Sequence, residues 1–186
     1  MNDLAAVILV GGKSLRMGHD KASLPYKGKR LVDVVADALR EAKIENIYVS
    51  GEIEGYFSLP DLQSECGPIG GICSSALSLQ NQYARIVFLP VDLPFISAAL
   101  INFLIEKKQK KIASYFDNHP LPCLLQLNDQ NIKRIGAILK NLTPEQSISV
   151  KSFLTTLGAE SFSIPPGLEK SLTNTNTPEE WREIIA

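Results

Sequence analysis

Apolar residues run without a break from Leu4 to Val10 and stop at Gly11-Gly12, the signature of a strand buried on both faces. Between Leu31 and Ala42 the spacing changes: Leu31, Val34, Val35, Ala38, Leu39 and Ala42 fall on one face of a helix. Ile47–Val49 and Arg85–Pro90 read as further short inner strands, and Ile69–Leu79 and Ser97–Lys108 as the helices that alternate with them. This alternation predicts an α/β fold, with a parallel sheet covered by helices on both faces and a ligand beyond the carboxyl ends of the strands. Both Gly11 and Asp92 fall at that edge.

The second half is less regular. Ile112–Phe116 and Leu121–Leu127 read as strands flanking a turn at Asn118–Pro120, and Ile132–Lys140 as a helix. Thr143-Pro144-Glu145-Gln146 and Thr177-Pro178-Glu179-Glu180 both fit the capping box of a helix start, the second strengthened by the apolar face of Trp181, Ile184 and Ile185. No repeat or Pro/Gly-rich linker divides the 186 residues, so one domain is expected.

Composition narrows the partners. With a net charge of -1, 45% hydrophobic and 21% charged residues, the chain offers no global attraction to nucleic acid or an anionic membrane, so any anion must be bound locally. No stretch has the ~18 apolar residues of a membrane span, and the N-terminus lacks a secretion pattern, which points to the cytoplasm. Cys66, Cys73 and Cys123 form no CxxC pair and read as buried free thiols.

The stretch Val10-Gly11-Gly12-Lys13-Ser14-Leu15-Arg16-Met17-Gly18-His19-Asp20-Lys21 gathers glycine, cations and a hydroxyl immediately after a buried strand. Glycines let backbone amides approach an anion, and Lys13, Arg16 and Lys21 can neutralise a triphosphate. It is not a P-loop, whose leading glycine would fall at Val7, nor a dinucleotide fingerprint, which would need glycine at Lys13 or Ser14. The strand ending in Pro90-Val91-Asp92 delivers one carboxylate to the same edge, a setting suited to Mg²⁺, which takes one or two carboxylates plus phosphate oxygens and water. A competing reading makes Asp92 a cap for the helix beginning near Ser97.

Five blocks in order along nearly the whole chain give a resemblance: Leu9 to Lys21 (L-x-G-G-x-S-x-R-M-G-x-D-K), Gly67-Pro68-Ile69-Gly70-Gly71-Ile72, Pro90-Val91-Asp92-Leu93-Pro94-Phe95, His119-Pro120, and Asn174-Thr175-Asn176-Thr177-Pro178-Glu179. The chain resembles the molybdenum cofactor guanylyltransferases, the MobA family. It departs at Val10, where the family often has Ala, and at Ser50, where it often has Asn.

The resemblance implies a three-layer, Rossmann-like nucleotidyltransferase fold of the GT-A type with a mostly parallel sheet, whose residues 1–110 bind nucleotide and whose residues 111–186 face a pterin acceptor. It implies GTP and molybdenum-molybdopterin as substrates, Mg²⁺ or Mn²⁺ as cofactor, and transient contacts with pterin-delivering and molybdoenzyme-maturation proteins. Lys21, Arg16 and Asp92 would be catalytic, with Asp92 also holding the metal. Leu9, Val10, Gly11, Gly12, Lys13, Ser14, Arg16, Lys21, Asp61, Gly67, Pro68 and Asp92 would contact the nucleotide, and His119, Asn174 and Asn176 the pterin side. Three rival readings remain: a cytidylyltransferase on the same cofactor, against which Gly11 speaks; a sugar-phosphate nucleotidyltransferase, against which the His119-Pro120 and Asn174–Glu179 blocks speak; and a non-catalytic nucleotide-binding adaptor, against which Lys21 and Asp92 speak.

Overall fold

The apolar run at the N-terminus forms strand β1 (Asn2–Leu9), and its alternate residues divide the molecule in two. Ala6 and Ile8 enter one core and Ala5, Val7 and Leu9 the other, so β1 is buried on both faces as its composition demands. The structure is a computed structural model that describes residues 2–10, 21–63, 65–107, 111–146, 148–175 and 181.

After a 3-10 turn at Lys21–Ser23, a small antiparallel hairpin of β2 (Pro25–Tyr26) and β3 (Lys29–Arg30) leads into helix α1 (Leu31–Glu41). Lys27 and Gly28 both have positive φ, as a tight two-residue hairpin requires. Then follow β4 (Ile47–Ser50), β5 (Phe57–Leu59), α2 (Gly67–Leu79), β6 (Tyr83–Pro90), α3 (Ala98–Glu106), β7 (Ala113–Phe116), β8 (His119–Gln126), α4 (Asp129–Asn141), α5 (Val150–Leu157) and β9 (Glu160–Phe162). Seven strands form one sheet in the order β5-β4-β1-β6-β8-β7-β9. The pairings are parallel except at β8, which runs antiparallel to both β6 and β7.

Helices α1 and α3 cover one face over Ala6, Ile8, Val87 and Leu89. Helices α2, α4 and α5 cover the other over Val7, Ile86, Phe88 and Leu125. The expected three layers are therefore present, with the mostly parallel sheet in the middle. On α1 the buried face is turned slightly from the expected one, taking Val32 and Ala36 inward while Val34 is only partly buried. The second half also differs in detail. His119 pairs with Phe116 and so belongs to β8, and the reversal falls on Asp117-Asn118, where Asn118 takes positive φ. Thr143 Oγ1 accepts from the Gln146 amide at 3.2 Å, but the element it starts is only a 3-10 turn, Pro144–Gln146. The second capping box lies outside the described residues. Beyond it, Trp181 is buried against Tyr26 with ring centroids 6.0 Å apart.

All three cysteines are buried free thiols, and burial pushes Cys73 and Cys123 up to about 12. Among the described residues no helix is long and apolar enough to cross a membrane.

Candidate active site

Three separate stretches of chain meet at the carboxyl edge of β1 and β6. Strand β6 ends at Pro90, and the Val91 amide still donates to the Leu9 carbonyl at 3.3 Å, extending the β1–β6 ladder by one step. Val91 and Leu93 are both buried, so the intervening Asp92 is gripped on either side by the core while its carboxylate emerges at the edge. Lys21 comes from the 3-10 turn after the glycine-rich stretch. That turn is anchored by fully buried Ala22, by the Leu24 amide donating to the Lys21 carbonyl at 3.2 Å, and by the Leu31 amide donating to the Leu24 carbonyl at 3.0 Å.

The Lys21 ammonium lies 3.3 Å from Asp92 Oδ2, with the two side chains only 16% and 20% exposed. A charge pair so little exposed interacts more strongly than a surface pair, because less water screens it.

The third stretch is the segment that ends in Thr175. The Thr175 amide donates to the Asp92 carbonyl at 3.1 Å, and its own carbonyl accepts from Lys21 Nζ at 3.1 Å. One residue thus ties the strand end to the cation. The segment reaches this position because Leu172 is buried and Ser171 Oγ hydrogen-bonds Ser97 Oγ at 2.8 Å at the start of α3. Thr175 is itself 2% exposed, and its Oγ1 has no hydrogen-bond partner among the described residues.

Ser97 also settles the competing reading of Asp92. Its Oγ accepts from the Leu100 amide at 3.4 Å, so α3 has its own cap and the Asp92 carboxylate is engaged with Lys21 instead. Asp92 could hold a metal ion as a single protein carboxylate, since no group of three or more His, Cys, Asp or Glu side chains that could hold one occurs among the described residues. One carboxylate suits Mg²⁺, whose remaining ligands would be phosphate oxygens and water, and does not suit an ion that needs an all-protein cage.

Helix α2 supplies a further wall. It begins at exposed Gly67 and Pro68, with Gly67 at φ +61° and open space where a side chain would stand. The Cys66 side chain does not cap the helix, so the first amides of the helix present a partial positive charge to the edge. The helix sits close to the sheet because Gly71 has no side chain: a Cβ there would lie 2.3 Å from Ser50 Oγ and 3.6 Å from Leu9 Cδ2. Ser50 is thus a buried packing residue of the β4 end. Asp61 lies on the loop before α2. Although the residue as a whole is exposed, desolvation around its carboxyl pushes the pKa above the ordinary value.

The structure brings together Lys21, Asp92, Leu9 and Val10, with Gly67 and Pro68 at the start of the adjoining helix. His119 opens β8, which runs against β6, and so lies at the same edge, one strand across. Asn174 is exposed beside Thr175. Gly11, Gly12, Lys13, Ser14, Arg16 and Asn176 lie outside the described residues. The residue that sequence reasoning missed is Thr175. No residue type marks it, because it acts through its backbone amide and carbonyl.

A mostly parallel α/β sheet here carries a cation and a carboxylate paired at the carboxyl edge of β1 and β6, where open α/β sheets bind their ligands, and family membership makes the chain a nucleotidyltransferase. The chain matches the profile of the MobA-like NTP transferase domain over residues 6–151, and it belongs to that family. It is 31% identical over 179 residues, 96% of this chain and 93% of the relative, to a molybdenum cofactor guanylyltransferase of Xanthomonas euvesicatoria pv. vesicatoria. The fold is shared with a molybdopterin-guanine dinucleotide biosynthesis protein A from Archaeoglobus fulgidus (TM-score 0.74, 18% identity, covering 97% of this chain and 96% of that one). It is shared also with a Mycobacterium tuberculosis protein crystallised as a manganese complex (TM-score 0.66, 13% identity, covering 99% and 98%).

Proposed function

We propose that the protein transfers GMP from GTP to the terminal phosphate of molybdenum-molybdopterin, giving the guanine dinucleotide form of the cofactor and pyrophosphate. The observation that carries this reading is the Lys21–Asp92 pair held at the sheet edge by Thr175. The name of the Xanthomonas relative supports the choice of substrates.

In the reaction, an oxygen of the acceptor phosphate forms a bond to the α-phosphorus of GTP. The bridging bond to the β-phosphate breaks, and its electron pair leaves with pyrophosphate. The attacking phosphate is already ionised at neutral pH, so no side chain has to remove a proton, and His119 serves the pterin side by position alone. What remains for the protein is alignment and charge neutralisation. Lys21 serves the α-phosphate, and Arg16 the leaving pyrophosphate. The amides of Gly11 and Gly12, with Lys13 and Ser14, cradle the phosphates after Leu9 and Val10, and the start of α2 at Gly67 and Pro68 adds its partial positive charge.

A divalent ion, Mg²⁺ in this reading with Mn²⁺ the alternative, would be held by Asp92 and would neutralise phosphate charge. The manganese bound by the Mycobacterium neighbour agrees with a divalent ion in this fold. Residues 1–110 form the nucleotide half, with Asp61 directed to the nucleotide, and residues 111–186 the acceptor half, with Asn174 and Asn176 beside the pterin. The protein acts in the cytoplasm, with transient contacts to the proteins that deliver the pterin and mature molybdoenzymes.

The test is direct: purified protein, Mg²⁺ and molybdenum cofactor are incubated with GTP or CTP, and the dinucleotide is identified by mass. The guanine adduct is expected with release of pyrophosphate. A cytosine adduct, or binding of GTP without release, would replace this reading with one of its rivals.

A further inference from the structure

Across the sheet edge from Asp92 lies a second concavity that the nucleotide does not need. It has a volume of about 360 Å³ and is lined by Tyr115, Asp117, Asn118, Pro120, Lys151 and Ser161. Strand β7 runs in the same direction as β1 and β6, since both it and β6 oppose β8, so the turn after β7 opens at the same edge as Asp92. At a strand spacing of about 4.8 Å, two strand intervals place this turn about 10 Å across the edge from β6.

Tyr115 and Ser161 are register partners on β7 and β9, and Tyr115 packs against the core under α2, α4 and α5. Asp117 follows two residues after Tyr115. It is fixed by its amide, which donates to the Phe162 carbonyl at 2.9 Å, and by its Oδ2, which accepts from Ser163 Oγ at 3.0 Å. Lys151 stands in the first turn of α5, whose cap is Ser149. The hollow is therefore lined by an aromatic side chain, a positioned carboxylate and an ammonium group.

Resting on the guanylyltransferase reading above, we propose that this hollow binds the pterin ring of the acceptor. The ring's aminopyrimidinone edge presents two adjacent N–H donors and a carbonyl. A carboxylate accepts from such a donor pair, an ammonium group donates to the carbonyl, and a tyrosine ring supports the flat heterocycle. Asp117 reads the donors, Lys151 the carbonyl, and Tyr115 carries the ring. Guanine has the same hydrogen-bonding edge, but the nucleotide half lies on the far side of β8, which assigns the hollow to the pterin.

Binding of metal-free molybdopterin, followed by quenching of pterin fluorescence with no nucleotide added, reads the hollow independently of turnover. D117N and K151A should each weaken that affinity about tenfold to a hundredfold, the loss expected when a charged hydrogen-bonding partner is removed. In the transfer assay they should raise KM for the pterin substrate and leave KM for GTP in place, with unchanged melting temperatures as the control. Unaltered pterin affinity in both variants, equal competition by guanosine, or a rise in KM for GTP alone would overturn the proposal. Absence of guanine dinucleotide from the wild-type protein, with pterin binding intact and sensitive to D117N, would instead count against the guanylyltransferase reading and for the hollow.

Discussion

The Lys21 ammonium sits 3.3 Å from Asp92 Oδ2 across 71 positions of sequence, and the carbonyl that shares it belongs to Thr175, 154 positions from Lys21. The site is therefore assembled by the fold and by no local motif. Each charge keeps the other oriented: the carboxylate is fixed by the core residues at its sides, and the cation by the turn beneath it.

Replacing either partner should affect chemistry far more than stability. Lys21→Ala and Asp92→Asn are each expected to lower kcat by about two to three orders of magnitude, the usual cost of removing one group that stabilises transition-state charge. The pair is little exposed but keeps some contact with water, so the loss of stability should lie above that of a surface pair, at about 1–2 kcal/mol. Steady-state kinetics alongside thermal unfolding separates the two effects, and near-wild-type kcat in either variant would remove Lys21 and Asp92 from the mechanism.

Thr175 acts through its backbone, and its side chain and main chain can be tested apart. Thr175→Val removes a buried hydroxyl with no partner among the described residues and keeps the shape, so stability should hold or rise by up to about 1 kcal/mol. Thr175→Pro removes the N–H that donates to Asp92 and should reduce kcat at least about tenfold. A valine variant that unfolds at clearly lower temperature would show that the hydroxyl is satisfied after all.

Much of this was legible in the sequence for identifiable reasons. The continuous apolar runs of β1 and β6 have no polar face, so they could only be inner strands, and Asp92 could only emerge at an edge. The short turn before β8 makes it antiparallel to β7, but its insertion between β6 and β7 was not legible, because an apolar strand carries no mark of its neighbours. Strands β5 and β9 are three residues each, too short for any periodicity, and α5 follows a 3-10 turn that hid its start. In the candidate site, the charged and glycine positions could be singled out by residue type. Thr175 could not, because its contribution is made by an amide and a carbonyl that every residue possesses.

Gly71 provides a test of how closely α2 must approach the sheet. A Cβ would meet Ser50 Oγ at 2.3 Å and Ser50 Cβ at 3.3 Å, and the first of these can be relieved by rotation while the second cannot. Gly71→Ala should therefore cost about 1–3 kcal/mol, read as a fall in melting temperature. Combining it with Ser50→Gly should recover part of that loss, with a coupling of at least about 0.5 kcal/mol. Additive losses would mean that the helix is limited by some other contact.

The raised pKa of the Asp61 carboxyl offers a test of whether that group serves the nucleotide. Desolvation raises its carboxyl pKa above 3.8 in the folded protein, so the unfolded chain ionises first as pH rises. Stability is then complete below the ordinary carboxylate range and declines as pH climbs from there through the raised folded value. Asp61→Asn abolishes that decline, so its melting temperature should exceed the wild type's by a margin that opens over the same interval and persists at neutral pH. If the carboxylate also accepts hydrogen bonds from the nucleotide, the same variant should weaken GTP binding, and wild-type GTP binding should release a proton in the interval where Asp61 titrates. Titration calorimetry in two buffers of different ionisation enthalpy measures that proton. A stabilised variant with unchanged GTP affinity and no proton release would leave Asp61 a loop residue outside the site.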